Sequence, residues 1–338
     1  MMGTAAGDER RGEQAMLSGL QVAVIGGDGR ELEVLKGLLA EGAAVRACGC
    51  PPAAAEIMGR PQCQTLAEAI AGSDVIIAPV PVIAPDGSLY APQWPEPLFL
   101  DAAALAGVKP GALLLIGTST PQLRTLAQER GLRIQEYGDD DELMILRAPT
   151  IAEGAIGLTI ANTEVSIHDA QVLVVGFGRI GFTLTRLLLN MGAHVRVAAR
   201  NPVQRARAWE LGARPLSLEE LATAVADCDM VFNTVPALVL TRAVLEQMRG
   251  DVFVLDIAAA PGGTDFEAAR ELGIKALLGR GLGSRAPRTA GRSQWQGLRK
   301  LILAALPTLR GEQSGASGGS GQGTGSRSAS NNGGGHDC

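Results

Sequence analysis

Residues Gln171–Asn201 read QVLVVGFGRIGFTLTRLLLNMGAHVRVAARN, and this stretch decides the fold. It begins with Gln171–Val175, a short Val-rich apolar run that is typical of a buried parallel strand. The run ends at Gly176–Gly181, which has the spacing G-x-G-x-x-G. Gly192 ends the helix that follows, and Ala193–Ala199 predicts a second strand. The helix is indicated by apolar residues at spacings of three and four, namely Ile180, Leu184, Leu187, Leu188 and Met191.

A strand before the glycines and a helix after them are the context that a dinucleotide-binding turn requires. In such a turn Gly176 makes the bend, Gly178 lets the backbone approach a pyrophosphate, and Gly181 allows close packing of helix on strand. The pyrophosphate binds N–H groups at the positive end of the helix, where Arg179 and Ile180 lie. The stretch therefore predicts a dinucleotide site.

The residue after the second strand indicates which dinucleotide binds. An Asp or Glu holds the ribose in an NAD site, but this chain has Arg200, whose guanidinium neutralises a 2′-phosphate. Arg205, one turn further, adds positive charge, and Asn201 with Pro202 resembles an N-cap followed by the first helical residue. We therefore expect NADP. The alternative is that both arginines are surface residues beside an NAD site.

The composition limits the classes of function. The chain of 338 residues is long enough for about two domains of roughly 150 residues each. Its formal net charge of −5 argues against a nucleic-acid partner. No apolar run approaches the roughly 20 residues that cross a bilayer, and the N-terminus lacks the apolar centre of a signal peptide. The cysteines form neither a CxxC pair nor a disulfide framework, so we expect a cytoplasmic protein without a metal site.

Strands and helices alternate through both halves of the chain, which predicts an α/β fold with two Rossmann-like, doubly wound parallel sheets. The predicted strands are Gln21–Ile25, Ala43–Cys48, Asp74–Ala78, Ala112–Ile116 and Leu132–Gln135 in the first half, and Gln171–Val175, Ala193–Ala199, Met230–Asn233, Phe253–Asp256 and Lys275–Leu278 in the second. Helix starts are indicated by capping boxes at Thr65–Glu68 and Ser217–Glu220 and by Thr120 before Pro121.

Changes in composition give the expected boundaries. The Gly- and Ser-rich end of the chain cannot bury enough apolar surface to offset its ordering entropy, so we expect it to be disordered. The expected segments are a flexible tail over 1–17, a substrate domain over 18–148, a linking helix over 149–165, an NADP-binding domain over 166–286, a helix at the domain junction over 287–310 and a disordered tail over 311–338.

The first half has its own glycine-rich turn, Gly26–Arg30. A third glycine is missing because Leu32 occupies its position, and Asp28 would place a negative charge against a phosphate. One interpretation is a turn that only starts a helix. The other is that Asp28 and Arg30 face the cleft and contact a substrate.

Other candidates follow from the rule that ligands bind beyond the carboxyl ends of parallel strands. Thr118 and Ser119 lie between a strand and a helix start, which suits a carboxylate, although simple helix capping explains them as well. The acidic run Asp139–Glu142 is expected to be a solvated loop. The strand ends expected to line the nicotinamide side carry Thr234, Val235, Pro236, Asp256, Ile257 and Ala258.

Histidine is scarce, and this argues against ordinary alcohol oxidation. A hydride-transfer enzyme acting on a hydroxyl group normally uses a general base with a pKa near neutrality, most often histidine. His168 and His194 lie at the wrong ends of their strands, and His336 lies in the predicted tail. No Ser-His-Asp set, HExxH motif or Walker lysine occurs.

Six strings, in this order and spacing, resemble the A-subunit family of dipicolinate synthases, which are sporulation enzymes on a branch from lysine biosynthesis. Together they span nearly everything between the two predicted tails. The strings are VIGGDGRELEVL at Val24–Leu35, APTIAEGAIGLTI at Ala148–Ile160, VVGFGRIG at Val174–Gly181, NTVPALVL at Asn233–Leu240, DIAAAPGGTDF at Asp256–Phe266 and RAPRTAG at Arg285–Gly291.

The resemblance implies oxidation of a dihydrodipicolinate-type precursor to pyridine-2,6-dicarboxylate, with NADP⁺ as the hydride acceptor. Aromatisation of a dihydropyridine is strongly downhill, so such an enzyme mainly orients the ring and the nicotinamide. Two carboxylates call for guanidinium and hydroxyl donors. The candidates are Arg30, Arg285 and Arg288, with Thr118, Ser119 and Thr150 as hydroxyl donors.

Glu153, in the AEGA motif, either accepts a ring proton or places its charge near the start of the linking helix. The resemblance also implies a flavoprotein-like second subunit, the B subunit of the synthase, and a homo-oligomer is left open. This chain has Arg285 and Arg288 where the family typically has a lysine, so a lysine-specific role is not expected. Two rival hypotheses are a D-2-hydroxyacid dehydrogenase, against which the missing late histidine counts, and a non-catalytic NADP-binding subunit.

Overall fold

The computed structural model describes residues 16–80, 87–138, 140–259 and 261–311. The predicted disordered tail lies outside the described residues except for Gly311. Of the predicted N-terminal tail only Met16 and Leu17 are described, and Leu17 is wholly buried in the first core. The tail prediction is therefore wrong for Leu17, whose N–H also donates to the carbonyl of Glu41.

The first domain is built on a five-stranded parallel sheet with the strand order β2-β1-β3-β4-β5. Apolar side chains on both faces of the sheet are covered by helices. The strands are β1 (Gln21–Ile25), β2 (Ala44–Cys48), β3 (Val75–Ile77), β4 (Leu113–Ile116) and β5 (Arg133–Glu136). The helices are α1 (Gly29–Ala40), α2 (Ala53–Met58), α3 (Leu66–Ile70) and α4 (Pro121–Glu129).

The second domain has a six-stranded parallel sheet with the order β11-β10-β9-β6-β7-β8, which is the Rossmann dinucleotide-binding order. Its strands are β6 (Gln171–Val175), β7 (His194–Ala198), β8 (Arg214–Leu216), β9 (Met230–Asn233), β10 (Phe253–Asp256) and β11 (Lys275–Leu278). Its helices are α6 (Arg179–Asn190), α7 (Pro202–Glu210), α8 (Leu221–Ala224), α9 (Arg242–Leu245) and α10 (Phe266–Glu271), with 3₁₀ helices at Leu218–Glu220 and Leu282–Arg285.

The predicted α/β class and both parallel sheets are confirmed. All ten predicted strands are also confirmed, and each predicted end lies within one residue of the observed end. The edge strand β8 was not predicted. It contains Pro215 between two other residues, and so short a segment carries no alternating pattern. It has the predicted capping box at Ser217 immediately after it.

The linking helix α5 (Asp141–Ile160) begins at Asp141, so the predicted start at Pro149 is wrong. Asp140 is the N-cap, and its carboxylate accepts from the N–H of Leu143 at 2.8 Å. Asp141 and Glu142 fill the first turn, where the helix dipole favours acidic residues, so the acidic run is not a loop from Asp140 onward. Pro149 is tolerated inside the helix because it and Ile145, whose carbonyl would otherwise accept the N–H that proline lacks, both lie on the exposed face.

Helix α5 is also the one helix among the described residues that is long and apolar enough to cross a membrane by length and composition. In the structure it is a core helix that packs against α6 and the 3₁₀ helix Leu282–Arg285. Its buried residues include Ala148, Ala152 and Ala155. It joins the two domains, because it lies between β5 of the first sheet and β6 of the second along the chain.

The last helix, α11 (Pro287–Leu309), packs mainly on α1 and α5. Leu298, Ile302 and Leu306 are buried in the same core as β1 and β2. The helix thus completes the first domain and also contacts the 3₁₀ helix Leu282–Arg285 of the second domain. The position at the domain junction stays a prediction.

The four cysteines in the described residues are free thiols. Burial raises the pKa of Cys48 and that of Cys228 to about 12, so both thiols stay protonated. They are small core residues rather than reactive groups.

Candidate functional site

Two glycines of the Gly176–Gly181 turn are required by packing. Gly176 has a φ of +93°, and a Cβ atom there would lie 2.3 Å from the hydroxyl oxygen of Thr234. A Cβ atom on Gly181 would lie 2.3 Å from the carbonyl oxygen of Gly176. Side chains at these positions would push β6, α6 and the β9 loop apart.

Gly178 is different because a Cβ atom there would meet nothing within 4 Å. It is exposed and is the N-cap of α6, where no side chain caps the helix. The bare helix end and the open space at Gly178 suit a pyrophosphate, which binds backbone N–H groups at the positive pole. These residues therefore fit a nicotinamide dinucleotide.

The side chain of Arg179 contacts α5, the helix that links the two domains. Its Nε donates to Asp141 Oδ1 at 2.6 Å, so the first turns of α6 and α5 are joined by an ion pair. The Ile180 side chain packs against the core of the second domain. Because an apolar side chain has no hydrogen-bond donor, a hydrogen bond from Ile180 to a pyrophosphate is through its backbone N–H.

The carboxylate of Asp256 is fully occupied by its own loop. Asp256 is wholly buried, and its Oδ2 accepts from Asn233 Nδ2 at 3.0 Å, the Gly263 N–H at 2.7 Å and the Thr264 hydroxyl at 2.7 Å. Its Oδ1 accepts from the N–H of Ala258 at 3.0 Å. The predicted cofactor contact is thus unavailable to this carboxylate, which instead shapes the loop.

The other predicted strand-end residues line the same edge of the sheet. The Thr234 hydroxyl donates to the carbonyl of Val175 at 2.9 Å and so holds β9 against the glycine turn. The N–H of Val235 donates to Asn233 Oδ1 at 3.0 Å. Pro236 is exposed, Thr234, Val235 and Ala258 are half-buried, and Ile257 is buried in the core.

The Arg200 turn follows β7 at the same edge. Asn201 caps α7 through the N–H of Val203 at 2.8 Å, and Pro202 is the first helical residue, as predicted. Arg205 Nη1 donates to the carbonyls of Ala199 and Arg200 at 2.9 Å each, so it stabilises the turn. The Arg200 side chain is exposed, and no hydrogen bond or ion pair ties it to the described residues. It is available to an anion.

In the first domain, Asp28 and Arg30 bind each other. Arg30 Nε donates to Asp28 Oδ1 at 2.8 Å and Nη2 donates to Oδ2 at 3.0 Å. Both are buried, and Asp28 is also the N-cap of α1 in a capping box with Glu31. Of the two interpretations of this turn, the helix start is the one that the geometry favours. The hydroxyl of Tyr90 lies 3.5 Å from Asp28 Oδ2 and forms the outer side of the pair.

Glu31 lies deeper in the same place. It is fully buried, and its carboxylate accepts from the N–H of Asp28 at 2.7 Å and from Gln294 Nε2 at 3.0 Å. Burial raises the pKa of Glu31 above its usual range. Tyr137, just after β5, is also fully buried and donates to the carbonyl of Ala78 at 2.6 Å. These groups form a polar cluster at the carboxyl ends of β1, β3 and β5.

Arg147 belongs to this polar cluster, and sequence reasoning missed it. It lies on α5, one turn beyond the buried Leu143, and only 6% of its surface is exposed. Burial lowers the pKa of its guanidinium, on which the charges of Arg30 and Glu31 also act. An arginine on the apolar face of a helix is the sequence feature that indicates such a buried cation. The predicted helix began at Pro149 and so did not include Arg147.

The predicted carboxylate cradle at Ser119 already holds a carboxylate. Glu136 Oε1 accepts from the Ser119 N–H at 3.0 Å and also from its hydroxyl. Arg124 reaches both groups, with Nη2 2.8 Å from Glu136 and Nε 2.7 Å from the Ser119 hydroxyl. Thr118 is exposed beside this set. Ser119 is thus engaged by a carboxylate of the chain itself, and the N-cap of α4 is Thr120 rather than Thr118 or Ser119.

The remaining candidates lie along α5 and its neighbours. Thr150 is buried and donates within the helix to the carbonyl of Arg147 at 2.9 Å, so its hydroxyl is engaged. Glu153 is exposed and lies in the middle of α5, so its predicted effect on the helix start is wrong. Arg285 and Arg288 are exposed, at the end of the last 3₁₀ helix and in the first turn of α11.

Comparisons with known proteins agree with this two-part geometry. Residues 21–138 match the family model for the N-terminal domain of the dipicolinate synthase A subunit. Residues 152–260 match the family model for the NAD binding domain of D-isomer specific 2-hydroxyacid dehydrogenases. The second domain is therefore a dehydrogenase-type domain for a nicotinamide dinucleotide.

Whole-chain relatives are more specific. The dipicolinate synthase A subunit of Bacillus subtilis (strain 168) is 35% identical over 288 residues, which are 85% of this chain and 97% of the relative. The crystal structure of the dipicolinate synthase A subunit from Bacillus halodurans, at 33% identity, matches with a TM-score of 0.78 over 85% of this chain and 99% of that chain. D-lactate dehydrogenase from Escherichia coli, at 15% identity, shares the fold alone, with a TM-score of 0.58 over 84% of this chain and 98% of that one. The chain belongs to the A-subunit family of dipicolinate synthases.

Proposed function

We propose that this protein oxidises a dihydrodipicolinate-type precursor to pyridine-2,6-dicarboxylate with NADP⁺, in the cytoplasm of a sporulating cell. The observation that carries the proposal is the similarity to the dipicolinate synthase A subunit over 85% of the chain. The uncapped start of α6 and the open space at Gly178 support the dinucleotide part. The buried polar cluster of the first domain supports a polar, anionic substrate.

The reaction removes a hydride and a proton from the dihydropyridine ring, which becomes aromatic. Bound NADP⁺ supplies the hydride acceptor. The chain itself binds and orients both molecules, which is sufficient for so downhill a step. Glu153 is exposed midway along α5, and we propose its carboxylate as the proton acceptor, in contact with solvent. The predicted substrate contacts at Arg285 and Arg288 stay part of the proposal.

The placement of histidines weighs against the 2-hydroxyacid dehydrogenase alternative. His168 and His194 lie at the amino-terminal edge of the second sheet, and His194 Nε2 lies 2.8 Å from Asp169 Oδ1 on the exposed surface. Among the described residues there is no histidine at the carboxyl edge of either sheet. The histidine base that such a dehydrogenase uses for a hydroxyl group is therefore missing from these edges in the described part of the chain.

Single-turnover hydride transfer tests the proposal. Purified protein, NADP⁺ and freshly generated dihydropyridine dicarboxylate are mixed, and NADPH fluorescence is followed. We expect NADPH to form in an amount set by the enzyme and substrate present. Formation only after addition of a second, flavoprotein-like subunit would show that this chain is a non-catalytic NADP-binding subunit.

Arg200→Ala tests the choice of cofactor. We expect weaker NADP binding by about 1–3 kcal/mol, the scale of a charge-assisted hydrogen bond, and almost unchanged NAD binding. The dissociation constants of both cofactors are measured by titration calorimetry. Arg207→Ala on α7, the helix that follows the turn, is the control, because Arg207 is exposed and lies further from the turn. Equal losses for both cofactors would mean that Arg200 does not contact the 2′-phosphate.

A further inference from the structure

Arg147 is a buried cation without a partner in the described part of the chain. Only 6% of its surface is exposed, and Nη1 has no hydrogen-bond partner among the described residues. A charge taken out of water is strongly unfavourable unless it is paired and hydrogen-bonded. The folded protein therefore holds a buried guanidinium with at least one donor, Nη1, free for an anion.

The neighbouring charges do not provide that anion. The carboxylate of Asp28 is engaged by both donors of Arg30. The carboxylate of Glu31 is engaged by the N–H of Asp28 and by Gln294. Arg30, which the sequence suggested as a substrate contact, directs its Nε and Nη2 donors at Asp28. The Nη1 donor of Arg147 has no such partner among the described residues. A second orphan, the buried Oε1 of Gln294, lies on the same cluster.

The position of Arg147 is that of a ligand site. In the strand order β2-β1-β3-β4-β5, connections diverge between β1 and β3, and ligands of such sheets bind beyond the strand ends at this point. Asp28 follows β1 and Ala78 follows β3, so the polar cluster occupies this point. Helix α5 carries Arg147 and also packs on α6, whose start is the dinucleotide end of the second domain.

We propose that the Arg147 guanidinium anchors one carboxylate of a planar heterocyclic dicarboxylate at the β1/β3 switch point of the first domain. This inference rests on the proposed function for the identity of the ligand. A guanidinium presents parallel N–H donors that match a carboxylate in bidentate geometry. The second carboxylate, on the other carbon next to the ring nitrogen, then extends away from Arg147.

The test is binding of pyridine-2,6-dicarboxylate and of pyridine-2-carboxylate to the NADP-saturated protein, measured by titration calorimetry. We expect Arg147→Met to weaken both ligands by roughly ten- to 150-fold, the loss of a charge-assisted hydrogen bond. We expect Arg147→Lys to lie between, because it keeps the charge and loses the planar fork. The matched control is Arg133→Met, which removes another arginine with an unpartnered buried Nη2, at the amino-terminal edge of the same sheet.

Thermal unfolding separates anchoring from folding. Without ligand, Arg147→Met should melt no lower than the wild type, because it removes an unpaired buried charge. With dicarboxylate, the wild type and Arg133→Met should gain the most stability, Arg147→Lys less and Arg147→Met least. Unchanged dicarboxylate binding by Arg147→Met would overturn the inference and leave the proposed function intact. Arg147-dependent binding of oxalate, with no binding of either pyridine acid, would sustain a carboxylate anchor and overturn the proposed substrate. Failure of the wild type to bind any of these carboxylates would overturn both.

Discussion

At the scale of single residues, the Gly176–Gly181 turn contains glycines with two different functions. Gly176 and Gly181 are required by the packing of the protein on itself, since a side chain at either would overlap atoms of the turn or of Thr234. Gly178 meets no such obstacle. Its lack of a side chain leaves room for the approach of a ligand, which is the role that the motif predicts.

Gly178→Ala and Gly181→Ala should therefore fail in different ways. We expect Gly178→Ala to unfold like the wild type but to lose dinucleotide affinity, because its methyl group occupies the space of the pyrophosphate. We expect Gly181→Ala to lower the free energy of unfolding by about 1–3 kcal/mol, the usual cost of overpacking. Urea unfolding and cofactor titration of both variants measure this. Similar unfolding with similar affinity in the two variants would contradict the division of functions.

At the scale of elements, Glu136 joins the end of β5 to the start of α4. The hydrogen bonds from Ser119, and then those from Arg124, hold the pKa of Glu136 below its ordinary value of 4.5. An acid with a lowered pKa in the folded state stabilises the protein above its unfolded pKa, and this contribution is lost as the pH falls through the folded value.

Glu136→Gln should remove that contribution. We expect the variant to be less stable than the wild type above about pH 4.5, by no more than about 1 kcal/mol because the carboxylate is partly exposed and screened. The difference should vanish as the pH falls below this value. Melting temperatures across this range measure it. Glu129→Gln, an exposed carboxylate on α4, serves as control, and the same pH-dependent loss there would contradict the assignment.

At the scale of the whole molecule, glycines allow α11 to return to the first domain. A Cβ atom on Gly291 would lie 2.5 Å from the carbonyl oxygen of Arg30, and one on Gly37 would lie 2.2 Å from the Trp295 ring. A Cβ atom on Gly297 would lie 2.5 Å from the side chain of Leu143. Through these contacts α11 approaches α1 and α5 closely and supplies Gln294 to the polar cluster. The polar cluster is complete only when α11 packs on α1 and α5.

Gly291→Ala should consequently loosen this docking. Its methyl group meets backbone, which cannot rotate away, so we expect the free energy of unfolding to fall by about 1–3 kcal/mol. The control is Gly157→Ala in α5, where a Cβ atom meets nothing within 4 Å. Alanine there should raise stability by up to about 1 kcal/mol through helix propensity. Chemical unfolding of both variants measures the contrast, and a stable Gly291→Ala protein would argue against tight docking.

Much of the architecture follows from short stretches of sequence. The ten predicted strands, the helix after Gly178 and the N-cap at Asn201 each depend on residues that are near neighbours in the chain. The start of α5 was misplaced because proline is common at the first position of a helix, which made Pro149 the predicted start. Whether a proline is tolerated inside a helix depends on which face of the helix is exposed. That face is set by packing against distant elements.

The sequence by itself determined two parallel sheets, the dinucleotide turn and the resemblance to one family, because hydrophobic period and glycine spacing act locally on the backbone. Only the tertiary structure decided which polar groups are still free. It showed that Arg30 is taken by Asp28, that Ser119 is taken by Glu136, and that Arg147 is buried with no partner among the residues described. The Glu31–Gln294 contact joins residues 263 positions apart, and such pairings arise only when the fold brings remote side chains together.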